Sequence, residues 1–149
     1  EISSAVSEAF RLASNYFTSD LLGLIKEKEI PVSELLVEPE NFAELIKMII
    51  NKEITSRVAK DVLRHMVESG GDPSTIVENL GLKQVGDEKA LEEIAHRVIS
   101  QNPKIVEDYK KGKTQALQFL VGRAMKELRG RGSPDVLRGL FVKKLENVR

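Results

Sequence analysis

The sequence predicts an all-α protein made of two small helical domains. Apolar residues recur at the three- and four-residue spacing of helices along most of the 149-residue chain. No segment alternates apolar and polar residues between hairpin turns, so strands have little support. Aromatic residues make up only 5% of the chain and Trp is absent. The core must therefore be built from aliphatic side chains, which suits helix packing better than a sandwich.

The first domain is predicted over residues 1–86, as a helical connector. Its first segment, from Ile2 to about Glu29, has apolar positions at helical spacing and no proline. We expect either one long helix or two helices separated near Thr18 and Ser19. Pro31 ends this segment.

Capping residues mark the other helices of this domain. Pro39 stands at the start of a helix that reaches Ile50. The next helix is expected to begin after Thr55 and to end in a left-handed C-cap at Gly70-Gly71. Asp72-Pro73 then starts a further turn, which ends at Gly81.

The second domain is predicted over residues 87–149, after a connector of small and polar residues at 81–86. Asp87 is expected to cap a helix that runs from Glu88 to about Ile99. The later helices are predicted from Asn102-Pro103 to about Lys111-Gly112, from Lys113 to Arg129, and from Ser133-Pro134 onward.

Several classes of catalytic and metal site have no support in the sequence. Without cysteine there can be no disulfide, thiolate metal site or cysteine nucleophile. His65 and His96 each stand alone on a predicted helix, and no phosphate-binding loop, HExxH or GxSxG motif occurs. We therefore predict no catalytic residue, no metal ligand and no cofactor in this chain. No apolar run reaches the roughly 18 residues of a membrane span, so a cytoplasmic location is expected.

Charge is distributed unevenly along the chain, although the formal net charge is zero. From Lys104 to Arg149 there are 12 Lys and Arg against 5 Asp and Glu. Such asymmetry indicates an anionic partner for the basic part. The simpler interpretation, that these charges only solvate exposed helix faces, stays open at this point.

The segment from Lys113 to Arg129 is the strongest amphipathic helix of the chain. A glycine on its polar face costs about 1 kcal/mol against alanine, which suggests close approach by RNA or by another helix. The loop that follows is basic and is expected to be flexible. The apolar stripe is Ala116, Leu117, Leu120, Val121, Ala124 and Leu128. The predicted RNA-binding residues are Lys113, Gln115, Gln118, Gly122, Arg123, Lys126, Arg129 and Arg131.

Two details of this surface bear on the kind of RNA contact. The basic residues of the predicted site, together with Lys110 and Lys111, form a dense cationic group in which we expect Glu127 to be the one acidic residue. Tyr109 and Phe119 are the aromatic candidates for stacking on bases. With so few aromatics, contact with the backbone of a structured RNA fits the sequence better than stacking.

Two sets of motifs stand in a fixed order along the chain. The upstream set is Phe42 to Lys47, Ile54, Ala59, Lys60, Met66, Asp72, Pro73, Ile76, Val77 and 81–84. The downstream set is Asn102, Pro103, Val106, Asp108, Tyr109, Gly112, Lys113, Ala116, Phe119 to Gly122, Met125, Lys126, Arg129, Gly130, Ser133 and Pro134. Together they resemble the helical domain and the YqeY-like tail of the GatB subunits of aspartyl/glutamyl-tRNA(Asn/Gln) amidotransferase. Arg123 departs from that pattern, since Gln is common there.

The resemblance implies a helical connector domain followed by a YqeY-like helical-bundle tail that binds tRNA(Gln) or tRNA(Asn), with neither membrane nor DNA as partner. It also implies a longer protein, as does the start at Glu1 instead of Met. By the same resemblance, ATP and Mg²⁺ would bind to the missing N-terminal catalytic domain, which would act together with glutamine and the partner subunits GatA and GatC. The reaction implied is the conversion of Glu-tRNA(Gln) or Asp-tRNA(Asn) to Gln-tRNA(Gln) or Asn-tRNA(Asn).

A second interpretation is a protein-interaction module. The C-terminal motifs of this chain also resemble those of GatE-type tails and of stand-alone YqeY proteins. In a protein-interaction module, the face of the helix that carries Gly122 would dock another helix. The connector at 81–84 favours the GatB resemblance over both.

Overall fold

The computed structural model describes the backbone of residues 2–147 and the side chains of residues 4–146. Glu1 and Arg149, the outer ends of the two predicted domains, lie outside the described residues. Residues 2–147 contain helices and connecting turns but no strand, so the all-α prediction is confirmed. The chain forms two compact units that divide between Lys83 and Gln84. None of the described helices is long and apolar enough to cross a membrane.

The first unit starts with one continuous helical rod rather than two separate helices. Helix α1 (Ile2–Asn15) passes into a π-helical turn (Tyr16–Leu21), which passes into α2 (Leu22–Glu27). Of the two alternatives expected here, the single long helix is confirmed, and near Thr18 and Ser19 its pitch changes without a break. Hydrogen bonds in a π-helix link residues five apart, which brings Tyr16 and Leu21 to the same buried side.

The remaining helices of the first unit follow a 3₁₀ turn (Val32–Glu34) and are α3 (Pro39–Ile50), α4 (Ser56–Ser69) and α5 (Pro73–Asn79). Two predicted N-caps are confirmed. The Thr55 hydroxyl accepts a hydrogen bond from the Val58 amide at 3.2 Å, and the Asp72 carboxylate accepts one from the Thr75 amide at 2.9 Å. The Asp72 contacts, first that backbone donor and then the Ser74 hydroxyl, lower the pKa of its carboxyl.

Gly70 ends α4, as predicted, but not in the left-handed helical conformation. Its backbone angles are φ +70° and ψ −164°, a region that is essentially restricted to glycine. The core that these helices enclose is aliphatic apart from Tyr16, and its fully buried side chains include Leu45, Leu63 and Met66.

The second unit consists of α6 (Glu88–Gln101), α7 (Pro103–Lys110), α8 (Gln115–Glu127) and α9 (Pro134–Asn147). The Asp87 carboxylate accepts a hydrogen bond from the Lys89 amide at 3.1 Å, which confirms the predicted cap of α6. Asn102 and Pro103 start α7 as predicted, but the Asn102 side chain forms no cap hydrogen bond with α7. Its amide donates instead to the Val98 carbonyl of α6 at 2.7 Å.

Helix α8 lies in the middle of the second unit, in contact with α6, α7 and α9. It is two residues shorter at each end than the sequence predicts, because Lys113 and Thr114 belong to the turn before it and Leu128 and Arg129 to the turn after it. The core between these helices includes the fully buried side chains of Leu120, Leu137 and Phe141. This packing fixes which side of α8 faces outward.

Candidate nucleic-acid interface

Burial of one side of α8 defines its outer surface. Ala116, Leu120 and Ala124 are buried in the core of the second unit, together with Val121 and Leu128. Leu117, which the sequence places on the same stripe, is half-buried. The exposed side carries the predicted site residues Gln115, Gln118, Gly122, Arg123 and Lys126. Five of the eight predicted residues are therefore displayed on one face of one helix.

Gly122 lies on this face with open space around it. A β-carbon built on Gly122 would have no atom of the described chain within 4 Å, apart from its chain neighbours and the adjoining backbone of its own helix. Close packing by another helix within the described residues is therefore not the reason for this glycine. The open space remains accessible to a molecule that approaches from outside.

The lysines at the N-terminal end of α8 are partly neutralised. The Lys113 ammonium is 2.8 Å from an oxygen of the Asp108 carboxylate, and the Lys111 ammonium is 2.6 Å from the Glu107 carboxylate. The hydrogen bond from Lys113 lowers the pKa of Asp108, and the hydrogen bond to Glu107 raises the pKa of Lys111. The expectation that Glu127 alone opposes these cations is wrong, because Glu107 and Asp108 also do so.

The cations at the C-terminal end of α8 have a different environment. Among the described residues, Lys126 and Arg129 form no ion pair, whereas Glu127 between them binds Arg97 at 3.3 Å. A charge without a partner in the protein is available for a phosphate. Lys126 and Arg129 are therefore the stronger candidates for contact with an anion.

Arg129 has an unusual backbone conformation. It follows the last turn of α8 with φ +51°, in the left-handed region where glycine is favoured. The Arg129 amide donates to the Lys126 carbonyl at 3.1 Å and the Gly130 amide to the Met125 carbonyl at 2.8 Å. These two bonds are the Schellman motif that ends many helices, usually with glycine in the position that Arg129 occupies here.

The basic turn after α8, which the sequence predicts to be flexible, is held by its own hydrogen bonds and by the core. Arg131 donates from Nε to the Leu128 carbonyl at 3.2 Å, and its own carbonyl accepts from the Val85 amide at 2.8 Å. A β-carbon on Gly132 would lie 2.5 Å from a methyl carbon of Leu128. Of the predicted site residues, Arg131 is thus the one most engaged in the protein itself.

Phe119 is an exposed aromatic residue on the same face, and it was not among the predicted site residues. Its side chain is 40% exposed, and the Arg123 guanidinium lies over its ring at 5.2 Å from the centroid. Spacings of four, three and four residues place Gln115, Phe119, Gly122 and Lys126 in one row along the helix. That spacing was the signal in the sequence. Tyr109, the other aromatic candidate, is half-buried against the core.

Two shallow grooves flank this row. One, of about 560 Å³, is lined by residues of α7, of the α7–α8 turn and of the start of α8, including Ile105, Asp108, Lys113 and Phe119. The other, of about 330 Å³, is lined by Arg123 and Lys126 of α8 and by residues at the end of α6. Among the described residues no group of three or more His, Asp or Glu is arranged to hold a metal ion.

Comparison with known proteins gives a consistent result. The family model described as the GatB domain matches residues 1–145. The chain is 41% identical over 135 residues to the GatB subunit of aspartyl/glutamyl-tRNA(Asn/Gln) amidotransferase from Geobacillus thermodenitrificans, with 91% of this chain covered. It is 43% identical over 134 residues to the GatB subunit of Clostridium botulinum strain Okra, with 90% covered, and 40% identical over 135 residues to that of Rickettsia canadensis, with 91% covered. The chain spans 28% of the length of these relatives.

Proposed function

The chain belongs to the GatB domain family, and from this membership we propose that it is the non-catalytic, tRNA-binding C-terminal part of a longer GatB subunit of a tRNA-dependent amidotransferase. The reaction proposed for the whole enzyme converts Glu-tRNA(Gln) or Asp-tRNA(Asn) to Gln-tRNA(Gln) or Asn-tRNA(Asn) in the cytoplasm. ATP, Mg²⁺ and the GatA and GatC subunits are assigned to the parts of that enzyme outside this chain.

The observation that carries the proposal is the outer face of α8. Lys126 and Arg129 are without an ion-pair partner among the described residues, and the space beside Gly122 is open. Cations of this kind bind phosphates and release the counterions condensed on RNA, which favours association. Glycine lets a phosphodiester or sugar approach the helix backbone closely.

The contribution of such a surface to the reaction is orientation. Contacts with the body of the tRNA restrict how the acceptor end can move, and this raises the effective concentration of the aminoacyl group at a distant active site. No residue of α8 needs to touch the reacting atoms for this effect. The polar but uncharged Gln115 and Gln118 can add hydrogen bonds to sugars and phosphates.

The proposal is tested by charge reversal with a matched control. Lys126→Glu combined with Arg129→Glu removes two cations from the α8 face. Lys47→Glu combined with Lys52→Glu makes the same change of charge at exposed positions of the first unit. We expect the first pair to weaken tRNA binding and to reduce the slope of log affinity against log salt by about 2, since each lost phosphate contact contributes about 1. The control pair should leave the slope unchanged.

If the two double variants bind tRNA with equal affinity and equal salt slope, the α8 face is ruled out as the tRNA site. Hydrogen exchange of the chain with and without tRNA separates the proposal from the protein-interaction interpretation. Protection of α8 amides by tRNA supports the proposal, whereas protection that is absent or confined to the first unit supports a surface for another protein.

A further inference from the structure

We propose that Phe119, together with the groove beside it, receives an unpaired nucleobase of the bound RNA, which stacks on the phenyl ring. This inference rests on the proposed function, because it concerns the same face of α8. It adds a contact with a base to a surface whose cations would otherwise bind only the sugar-phosphate backbone.

The first argument is the exposure of an aromatic ring in the middle of a polar row. Phe119 is 40% exposed, although a phenyl ring is normally buried when a core is available next to it. Its neighbours in the row are Gln115 on one side and the open Gly122 on the other. A flat ligand can therefore approach the ring from the side of Gln115 and Gly122, while Arg123, on the next turn of the helix, lies over one face of the ring.

The second argument is the position of Arg123 relative to the ring. Its guanidinium lies over Phe119 at 5.2 Å from the centroid and lines the groove toward the end of α6, not the groove in which Phe119 takes part. The ring therefore borders the larger groove on a side that Arg123 leaves free. An aromatic ring backed by a guanidinium is a platform on which a base can stack.

The third argument is the chemistry of the larger groove. Its volume is about 560 Å³. Ile105 and Ala116 supply apolar surface, and Gln115 supplies an amide that both donates and accepts hydrogen bonds.

The charge balance of this groove distinguishes a base from a phosphate. Its two charged groups, Lys113 and Asp108, bind each other at 2.8 Å, so their charges largely cancel. A phosphate gains little from such a pair, while an uncharged, planar base with polar edges matches both the apolar wall and the amide. The cations that suit phosphate, Lys126 and Arg129, lie two to three turns further along the chain.

Phe119→Trp tests the inference directly, because the chain has no other Trp. The indole keeps a stacking surface and reports on it through its fluorescence. We expect tRNA to quench this emission while binding with undiminished affinity. Phe10→Trp is the matched control, since Phe10 is 71% exposed and lies in the first unit. Its emission should not respond to tRNA.

Phe119→Leu supplies the complementary loss of function. Leucine keeps an apolar side chain and the helix but cannot stack. We expect tRNA affinity to fall by about 5- to 150-fold, the range measured for removing one base–aromatic contact. The salt slope should stay unchanged, because no phosphate contact is lost. Circular dichroism of each variant checks that the helices remain folded.

The outcomes separate this inference from the proposed function. If tRNA binds in a manner that depends on Lys126 and Arg129, but leaves the Phe119→Trp emission and the affinity of Phe119→Leu unchanged, the stacking inference is overturned and the proposed function stands. If no variant and no wild-type chain binds tRNA, the proposed function fails, and the inference fails with it.

Discussion

Charged side chains have different roles in the two units. In the first unit, three charged residues of α4, spaced four apart, each have a partner in the preceding helical rod or directly after it. Lys60 binds Asp20 at 3.0 Å, Arg64 binds Glu27 at 3.2 Å, and Glu68 binds Lys28 at 2.6 Å. In the second unit, Lys126 of α8 and Arg129 in the turn after it form no such pair among the described residues. A basic residue on an amphipathic helix therefore indicates a ligand only where the fold gives it no partner.

The same comparison holds within the basic part of the chain. Lys111 and Lys113 bind carboxylates four and five residues earlier, so the positive charge counted along the sequence is larger than the charge available to a ligand. What distinguishes the candidate site is the combination of unpaired cations, an open glycine and an exposed phenyl ring on one face. The predictions below test whether charge stabilises the first unit while apolar packing stabilises the second.

The largest effect on stability is expected at Gly132. A β-carbon there would lie 2.5 Å from one methyl carbon of Leu128 and 3.3 Å from one of Leu137, both in the core. Gly132→Ala should lower the free energy of unfolding of the second unit by about 1 to 3 kcal/mol, the usual range for overpacking. Gly86→Ala, which meets nothing within 4 Å, is the control. Denaturant unfolding measures both, and a neutral Gly132→Ala would mean that the turn after α8 does not depend on this packing.

Local signals in the sequence predicted the helices well, because capping and proline effects act within a few residues. Thr55, Asp72 and Asp87 cap the helices that they were expected to cap. Asn102 stands at the predicted start of α7, but its side chain bonds to the end of α6. A residue between two helices can serve either one, and the choice depends on how the helices meet. No local rule reveals the π-helical turn at Tyr16, because its advantage is burial against the rest of the first unit.

The candidate site was predicted less completely than the fold. Helical spacing correctly predicted which residues of α8 lie on its outer face. Spacing alone does not show which of the cations have ion-pair partners. The pair of Lys111 could have been expected from an acidic residue one turn earlier, whereas Lys113 lies beyond the end of α7 and five residues from Asp108. Phe119 was left out of the predicted site because few aromatic residues accompany the cations, although helical spacing places it on the outer face, where the structure shows it 40% exposed.

Arg129→Gly should separate stability from binding. Relieving the left-handed conformation of Arg129, at φ +51°, should stabilise the second unit by about 1 kcal/mol while weakening tRNA binding. Lys52, at φ +58°, ends α3 with the same hydrogen-bond motif. Lys52→Gly should therefore stabilise the first unit by a similar amount with no effect on tRNA. Thermal unfolding and a tRNA titration check both variants, and equal binding by the two would remove Arg129 from the site.

A smaller effect is expected from filling the open space on α8. Gly122→Ala and Gly139→Ala both replace an exposed glycine inside a helix, and neither new methyl meets an atom within 4 Å. Each should stabilise the second unit by about 0.5 to 1 kcal/mol through helix propensity. Only Gly122→Ala should weaken tRNA binding, because the methyl group occupies the space that the RNA approaches. If both variants bind tRNA as the wild type does, close approach at Gly122 is excluded.

One charge reversal in each unit tests the comparison of charges directly, and the smallest effect on stability is expected at Lys126. Lys60→Glu places a carboxylate beside Asp20, which now lies 3.0 Å from the Lys60 ammonium and raises the pKa of that ammonium mainly through its hydrogen bond. Because Lys60 is exposed to solvent and Asp20 is only partly buried, the first unit should lose only about 0.5 to 1 kcal/mol.

This loss should shrink as salt screens the repulsion. Lys126→Glu makes the same change of charge on α8 but removes no ion pair among the described residues. Its effect on stability should therefore lie within about 0.5 kcal/mol of zero, as for most surface substitutions. Urea unfolding at low and at high salt measures the free energy of unfolding of both variants. A salt-dependent loss of stability at Lys126 would show that this cation has a structural role, and Arg129 would then be the stronger candidate for phosphate contact.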